Sequence, residues 1–217
     1  MTGTVLLDLD GTLTDPKIGI TRCIAHALTA LHHESPHADA LEWCIGPPLA
    51  NSFATLLDTK DAALIARALA LYRERFSAIG LFENTLFPGI ANMLEALSAA
   101  GLQAHVATSK PHVFATRIVA YFSLDQYFGT VYGAELDGQR AEKSELISYV
   151  LHARKLDARQ TVMIGDRKHD VLGAKACGVA AIGVTYGYGS AEELRAAGAD
   201  RLVHAPDQIL EAVTALI

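Results

Sequence analysis

From Pro88 to the C-terminus the chain alternates short apolar strand-like runs with helical stretches, and this alternation restricts the fold more than any other feature. The strand-like runs are "LQAHVATS" (Leu102 to Ser109), "TVYGA", "TVMIG" and "AAIGVTY", with a weaker one at "RLVH". Between and around them lie "PHVFATRIVAYF", "KSELISYVLHARK", "KHDVLGAKACG", "SAEELRAAG" and "PDQILEAVTALI". Adjacent parallel strands need a crossover helix, so regular alternation predicts an α/β fold: a doubly wound, Rossmann-like parallel sheet with helices on both faces. In such sheets ligands gather beyond the carboxyl ends of the strands. Pro88 suits the first position of the helix that opens this region, and Gly101 its stop.

One strand signal stands apart, at the N-terminus, in "VLLDLDGTLTD" (Val5 to Asp15). No second one appears before Leu102. The intervening "IGITRCIAHALTALHH" places Ile20, Ile24, Ala27, Leu28 and Leu31 close to an i, i+3, i+4 stripe, and "PPLANSFATLLD" and "KDAALIARALALYRERF" repeat the period. The expected organisation is a core from residues 1–15 and 82–217, with a small helical cap domain, 16–81, inserted after the first strand.

The first strand raises a chemical question. If Val5 to Leu9 is a strand, Asp8 and Asp10 leave its end on one face and repel. An ion pair, a shared proton or a metal would relieve them, and the absence of any Lys or Arg before Lys17 favours the last two. The other strand ends add Thr108, Ser109 and Lys110 in "VATSK", and Asp166 and Asp170 in "MIGDRKHD"; Lys143 opens the helix before the latter strand. Four carboxylates with so few ammonium groups call for a divalent cation, and an oxygen-only donor set favours Mg²⁺ over zinc.

Composition narrows the partners. The net charge of −6, with 18 Lys and Arg and no long basic run, disfavours nucleic-acid polymers and anionic membranes. No apolar stretch approaches the roughly 20 residues of a membrane helix, and no leader pattern opens the chain. A cytoplasmic monomer or homodimer acting on a small polar molecule is expected. The 3 cysteines, Cys23, Cys44 and Cys177, are too scattered for a disulfide framework or a CxxC site.

Taken together, "DLDGTLTD", "ATSK", Lys143 in "AEKSEL" and "GDRKHD" resemble, in order and along the whole chain, the four motifs of the haloacid dehalogenase superfamily. The resemblance is to its phosphatases of the phosphoglycolate phosphatase-like and 5'-nucleotidase-like branch, with a helical cap after the first strand. It implies a phosphoric monoester hydrolase in which Asp8 attacks phosphorus to form an aspartyl-phosphate and Asp10 serves as general acid and base. It further implies Mg²⁺ held by Asp8, the Asp10 carbonyl and Asp166, with Asp170 orienting the metal site or Lys143. Thr108 and Lys143 would grip the phosphoryl oxygens, with backbone N–H groups of Gly11 and Thr12 also in reach. Dehalogenation itself is disfavoured, because those members lack the second aspartate of the first motif. The substrate would be a small phosphorylated metabolite, phosphoglycolate-like or a 5'-nucleotide, and "IGPPL" and "YGYGS" lean to the nucleotide group.

Blander readings stand beside these. Ser109 is as well suited to capping the helix near Pro111 as to touching phosphate. Lys110 is undecided between surface and site, and His169 reads as an exposed helix residue. "YGYGS" is a glycine-rich turn on the rim, too irregular for a dinucleotide fingerprint. Gly46 and Pro47, in "CIGPPLANSF", are candidates for substrate choice or simply a helix start. A phosphomutase would use the same residues, whereas a phospho-accepting signalling module would have no helical insertion.

Overall fold

The computed structural model describes residues 3–217. In chain order it contains β1 (Thr4–Leu7), β2 (Thr14–Asp15), α1 (Lys17–Ala30), α2 (Leu49–Leu56), α3 (Ala62–Ala78), β3 (Thr85–Leu86) and α4 (Ile90–Ala99). There follow β4 (Gln103–Pro111), α5 (His112–Tyr121), β5 (Phe128–Ala134), α6 (Lys143–Arg154), β6 (Thr161–Gly165) and α7 (Lys168–Ala176). β7 (Ala180–Val184), α8 (Ala191–Ala196), β8 (Arg201–Val203) and α9 (Ile209–Thr214) complete the chain. It divides into two compact units, Met1–Asp15 with Leu86–Ile217, and Pro16–Thr85.

The first unit is the predicted doubly wound sheet. Its six strands run in the order β5-β4-β1-β6-β7-β8, all neighbours parallel. β1 sits where the order reverses, with Leu7 opposite Val106 on one side and Ile164 on the other. This is the switch point at which open α/β sheets hold ligands. Register puts Leu6, Met163 and Ala181 in one row, and they pack with Ile147, Val150 and Val171 of α6 and α7. Strands covered on both faces lose the polar alternation of surface strands, which is why "TVLL" and "TVMIG" are continuously buried.

Two local expectations are corrected. The strand stops at Leu7, not Leu9, because the chain turns immediately afterwards. Pro88 does not open a helix: α4 begins at Ile90 with Gly89 as its N-cap in the left-handed region, φ 88°. Gly101 does end it, at φ 75°.

The second unit is helical. Ile20, Cys23, Ile24, Ala27 and Leu28 form the buried stripe of α1, and Ala68, Tyr72 and Phe76 that of α3. Phe53 of α2 meets Tyr72 edge-on at 6.3 Å, and Tyr72 stacks on Phe76 at 5.3 Å. Asp61 caps α3 by accepting from the Ala63 N–H at 2.9 Å. A 3₁₀ stretch, Ala38–Cys44, lies in the α1–α2 connection where no element is expected. Among the described residues no helix is long and apolar enough to cross a membrane.

Candidate active site

Asp8 is the first residue past β1, and its N–H continues the ladder to the Ile164 carbonyl at 2.9 Å. The chain then folds on Leu9, whose carbonyl accepts from the N–H groups of Thr12, Leu13 and Thr14 at 3.3, 2.9 and 3.0 Å. Gly11 makes that turn possible: its φ is +84°, and a Cβ there would run into the Asp166 carboxylate. Asp8 and Asp10 therefore leave the sheet on a turn and not on a continuing strand, and the Asp8 charge still acts on Asp10. Each takes its own lysine from far along the chain. Lys143 Nζ lies 2.9 Å from Asp8 Oδ1, and Lys110 Nζ is ion-paired with Asp10 Oδ2. Ion pairing, set aside because no cation is near in sequence, is therefore the arrangement present.

Lys143 begins α6 with its ammonium buried; it also donates to the Ala107 carbonyl at 2.8 Å and pairs with Asp170 Oδ1 at 2.6 Å. Asp170 sits in the first turn of α7, where Oδ2 accepts from the Arg167 N–H at 3.1 Å. Asp166 follows β6, and its Oδ2 accepts from the Tyr188 N–H at 2.8 Å. One oxygen from each of Asp8, Asp166 and Asp170 falls within 4.8 Å of the others, all three residues being buried.

The electrostatics follow from this crowding. Burial raises the Asp166 carboxyl well above its ordinary range, and the charges of Asp170 and Asp8 push it further. Burial also raises Asp170, to about 6, although Lys143 opposes it. Asp10 is raised by burial against the pull of Lys110. Burial works against the Lys143 ammonium, but Asp170 and Asp8 outweigh it and its pKa is raised. Three clustered carboxylates thus have one ammonium among them, which pairs with Asp8 and Asp170 only, and Asp166 Oδ1 is buried without a hydrogen-bond partner among the described residues. A hard divalent cation fits that donor set: it would satisfy Asp166 Oδ1 and offset the excess negative charge.

The remaining expected residues are placed as follows. Thr108, Ser109 and Lys110 belong to β4, and α5 has Pro111 as its N-cap with no side-chain cap, so Ser109 does not cap it. Thr108 is buried, and its hydroxyl accepts from the Lys110 N–H at 3.2 Å. The N–H groups of Gly11 and Thr12 donate within the turn, to the Thr14 and Leu9 carbonyls at 2.8 and 3.3 Å. The Thr12 hydroxyl is fully buried and without a hydrogen-bond partner among the described residues. Gly46 and Pro47 belong to the helical unit, in the turn before α2, with Gly46 at φ +101°. His169 is half-buried, and burial, with the charges of Arg167 and Lys168, lowers its pKa.

Sequence reasoning missed the contribution of "YGYGS". Tyr186 donates its hydroxyl to the Thr12 carbonyl at 3.0 Å, and Tyr188 donates its own to Asp15 Oδ1. Only the glycines signalled this loop, and glycine alone does not say what the backbone approaches.

The model of the haloacid dehalogenase-like hydrolases matches residues 5–184, a span that holds every acid and lysine of this cluster. The chain belongs to that family. A 5'-nucleotidase of Pseudomonas aeruginosa is 50% identical over 192 residues, covering 88% of this chain and 86% of that protein. The tyrosine-protein kinase PtkA of Mycobacterium tuberculosis is 36% identical over 213 residues, covering 96% of this chain and 72% of its own. The crystal structure of a predicted phosphatase from Clostridium acetobutylicum superposes with a TM-score of 0.96 at 38% identity, each chain covered completely. This family member is a phosphatase, a phosphoric monoester hydrolase.

Proposed function

We propose that the protein hydrolyses a small phosphorylated metabolite with Mg²⁺ and an aspartyl-phosphate on Asp8, and that its preferred substrate is a 5'-nucleotide. The observation that carries this reading is the convergence of Asp8, Asp166 and Asp170 within 4.8 Å of one another, with the Lys143 ammonium paired to two of them, Asp8 and Asp170. Mg²⁺ held by Asp8, Asp166, the Asp10 carbonyl and, directly or through Lys143, Asp170 would offset the repulsion between carboxylate and phosphate.

The chain's own residues account for the rest. An Asp8 oxygen attacks phosphorus, the ester P–O bond breaks, and its electron pair goes to the leaving oxygen, which takes a proton from Asp10. Water then attacks phosphorus, gives a proton to Asp10, and the returning electron pair restores the Asp8 carboxylate. Separate acids suit the task, because a carboxyl that is the nucleophile is not free to carry the proton. Lys143 and Thr108 hold the phosphoryl oxygens on which charge sits in the transition state. Lys110 holds the Asp10 carboxylate in place. Burial of all these groups strengthens each interaction.

The nucleotide preference rests on the 50% identity to a protein named 5'-nucleotidase. A panel of 5'-nucleotides, phosphoglycolate and sugar phosphates, with phosphate release measured with and without Mg²⁺, tests it. Gly46 and Pro47 are assigned to substrate choice: replacing Pro47 and Pro48 by Ala should change the ratio of kcat/KM between a nucleotide and an aryl phosphate. An equal fall for both would give that turn a packing role only.

One observation favours a second reading, transfer of the phosphoryl group to a hydroxyl acceptor: the 36% identical relative is named a tyrosine-protein kinase. Phosphotyrosine formed from ATP and a tyrosine peptide, without stoichiometric phosphate release, would support it.

A further inference from the structure

The loop after β7 does more than close the sheet. Gly187 is packed so tightly that a Cβ would collide with the Gly11 carbonyl and lie 2.5 Å from the Asp166 Cβ. The Tyr188 N–H holds Asp166 Oδ2 at 2.8 Å, and the Tyr188 hydroxyl is hydrogen-bonded to Asp15 Oδ1. Tyr186 fixes the other end of the same turn through the Thr12 carbonyl at 3.0 Å. The segment Gly11 to Asp15, which carries the chain away from the two N-terminal acids, and the carboxylate of Asp166 are therefore held by one short loop.

We propose that Tyr188 is a positioning residue for the cation site, acting through Asp166. The inference rests on the metal-dependent reading above and deepens it. A carboxylate has two oxygens, and with Oδ2 engaged by the loop, Oδ1 is the one left to give to a cation; it is the oxygen that is buried without a hydrogen-bond partner among the described residues. A ligand whose second oxygen is already hydrogen-bonded loses less rotational freedom on binding metal, which is how residues behind the ligands raise affinity. The Tyr188 backbone can do this only if the loop is anchored, and the phenol on Asp15 is the anchor at its Tyr188 end. Burial, with the adjoining Asp15, pushes that phenol well above its ordinary pKa, so it stays protonated and remains a donor.

The test measures Mg²⁺ binding directly, by titration calorimetry on the full chain, and separately as the rise in Tm caused by Mg²⁺. Tyr188→Phe keeps the ring and removes only the anchor. Its Mg²⁺ affinity should fall about tenfold, the lower end of the range for residues behind metal ligands. Its Tm without Mg²⁺ should fall slightly, as the loss of one part-buried hydrogen bond requires, while the rise in Tm caused by Mg²⁺ shrinks, which a merely structural tyrosine would not produce. Asp15→Ala should give at least the same loss, and the double variant should be no weaker than Asp15→Ala alone, because the Tyr188–Asp15 bond is already gone in it. Unchanged Mg²⁺ affinity in Tyr188→Phe, or additive losses in the double variant, would overturn the proposal; if Asp15→Ala does not fold, Tyr188→Phe alone decides. A wild-type protein that binds no Mg²⁺ would remove the metal reading itself, and this inference with it.

Discussion

Lys143 and Asp8 form a buried ion pair at 2.9 Å, made by residues 135 positions apart in the chain. The same ammonium lies 2.6 Å from Asp170, so it bridges two of the three clustered acids. Breaking a buried pair by removing one partner costs roughly 3–5 kcal/mol, because the other charge stays buried. Lys143→Met should therefore destabilise the Mg²⁺-free protein by about that amount. With the competing cation gone, Mg²⁺ should stabilise this variant more than it does the wild type, while turnover falls about a hundredfold or more. Denaturant titrations with Mg²⁺ and with chelator check this, and a smaller Mg²⁺ effect in the variant would count against the shared site.

The two N-terminal acids should separate in their kinetics. Asp8→Asn removes the proposed nucleophile and should abolish turnover of every ester. Asp10→Asn removes the proposed proton carrier, and about 10²–10⁴-fold should be lost on a nucleotide but much less on an aryl phosphate, whose leaving oxygen needs no proton. Matching losses on both substrates would show that Asp10 does not serve as the acid.

Mg²⁺ binding should release protons. Asp170, with a pKa of about 6, and Asp10 and Asp166, also raised, have folded values above their unfolded ones. Their contribution to stability is thus complete below the ordinary carboxyl range, near 4, and is lost as pH rises through each raised value, about 6 for Asp170. In chelator the Asp170 part of that stability disappears above about pH 6, and Mg²⁺ restores it by taking the place of the proton. The gain in Tm from Mg²⁺ should accordingly be small near pH 5 and large near pH 8. An equal gain at both would mean that these carboxyls are ionised throughout.

His105, buried in β4, works in the opposite sense. Burial first, and the charge of Arg154 second, lower its pKa below the ordinary 6.5. The unfolded chain then binds the proton more readily, so the stability contributed by the neutral ring is complete above about 6.5 and declines as pH falls through the lower folded value. His105→Phe should flatten the acid side of the stability profile between about pH 7 and 5 relative to wild type. Parallel profiles would assign that slope to other groups.

The sheet was legible because its strands are buried on both faces and separated by helices long enough to cross over, a pattern contained in neighbouring residues. The acids were legible for a related reason: a buried strand that ends in carboxylates is costly unless something binds them. What the sequence hid lies in long-range placement. No local rule connects Asp10 with Lys110 or Asp8 with Lys143, so ion pairing looked unavailable. The two-residue period carried the first strand to Leu9, whereas the hydrogen bonds to the Leu9 carbonyl turn the chain there. Ser109 looked like a cap because it precedes a helix, yet β4 runs on through Pro111 and leaves it in the strand. Tyr188 gave no signal at all, since its role comes from a backbone N–H and a hydroxyl aimed at residues far away in the chain.

In the proposed reaction a carboxylate oxygen of Asp8 takes the phosphoryl group. The most direct measurement is mass spectrometry of protein quenched in acid within the first turnover of a 5'-nucleotide, followed by mapping of the modified peptide. One phosphoryl group on Asp8, formed only with Mg²⁺ and absent from Asp8→Asn, is the result expected. Full-rate phosphate release by Asp8→Asn, or a phosphoryl group on any other residue, would contradict it.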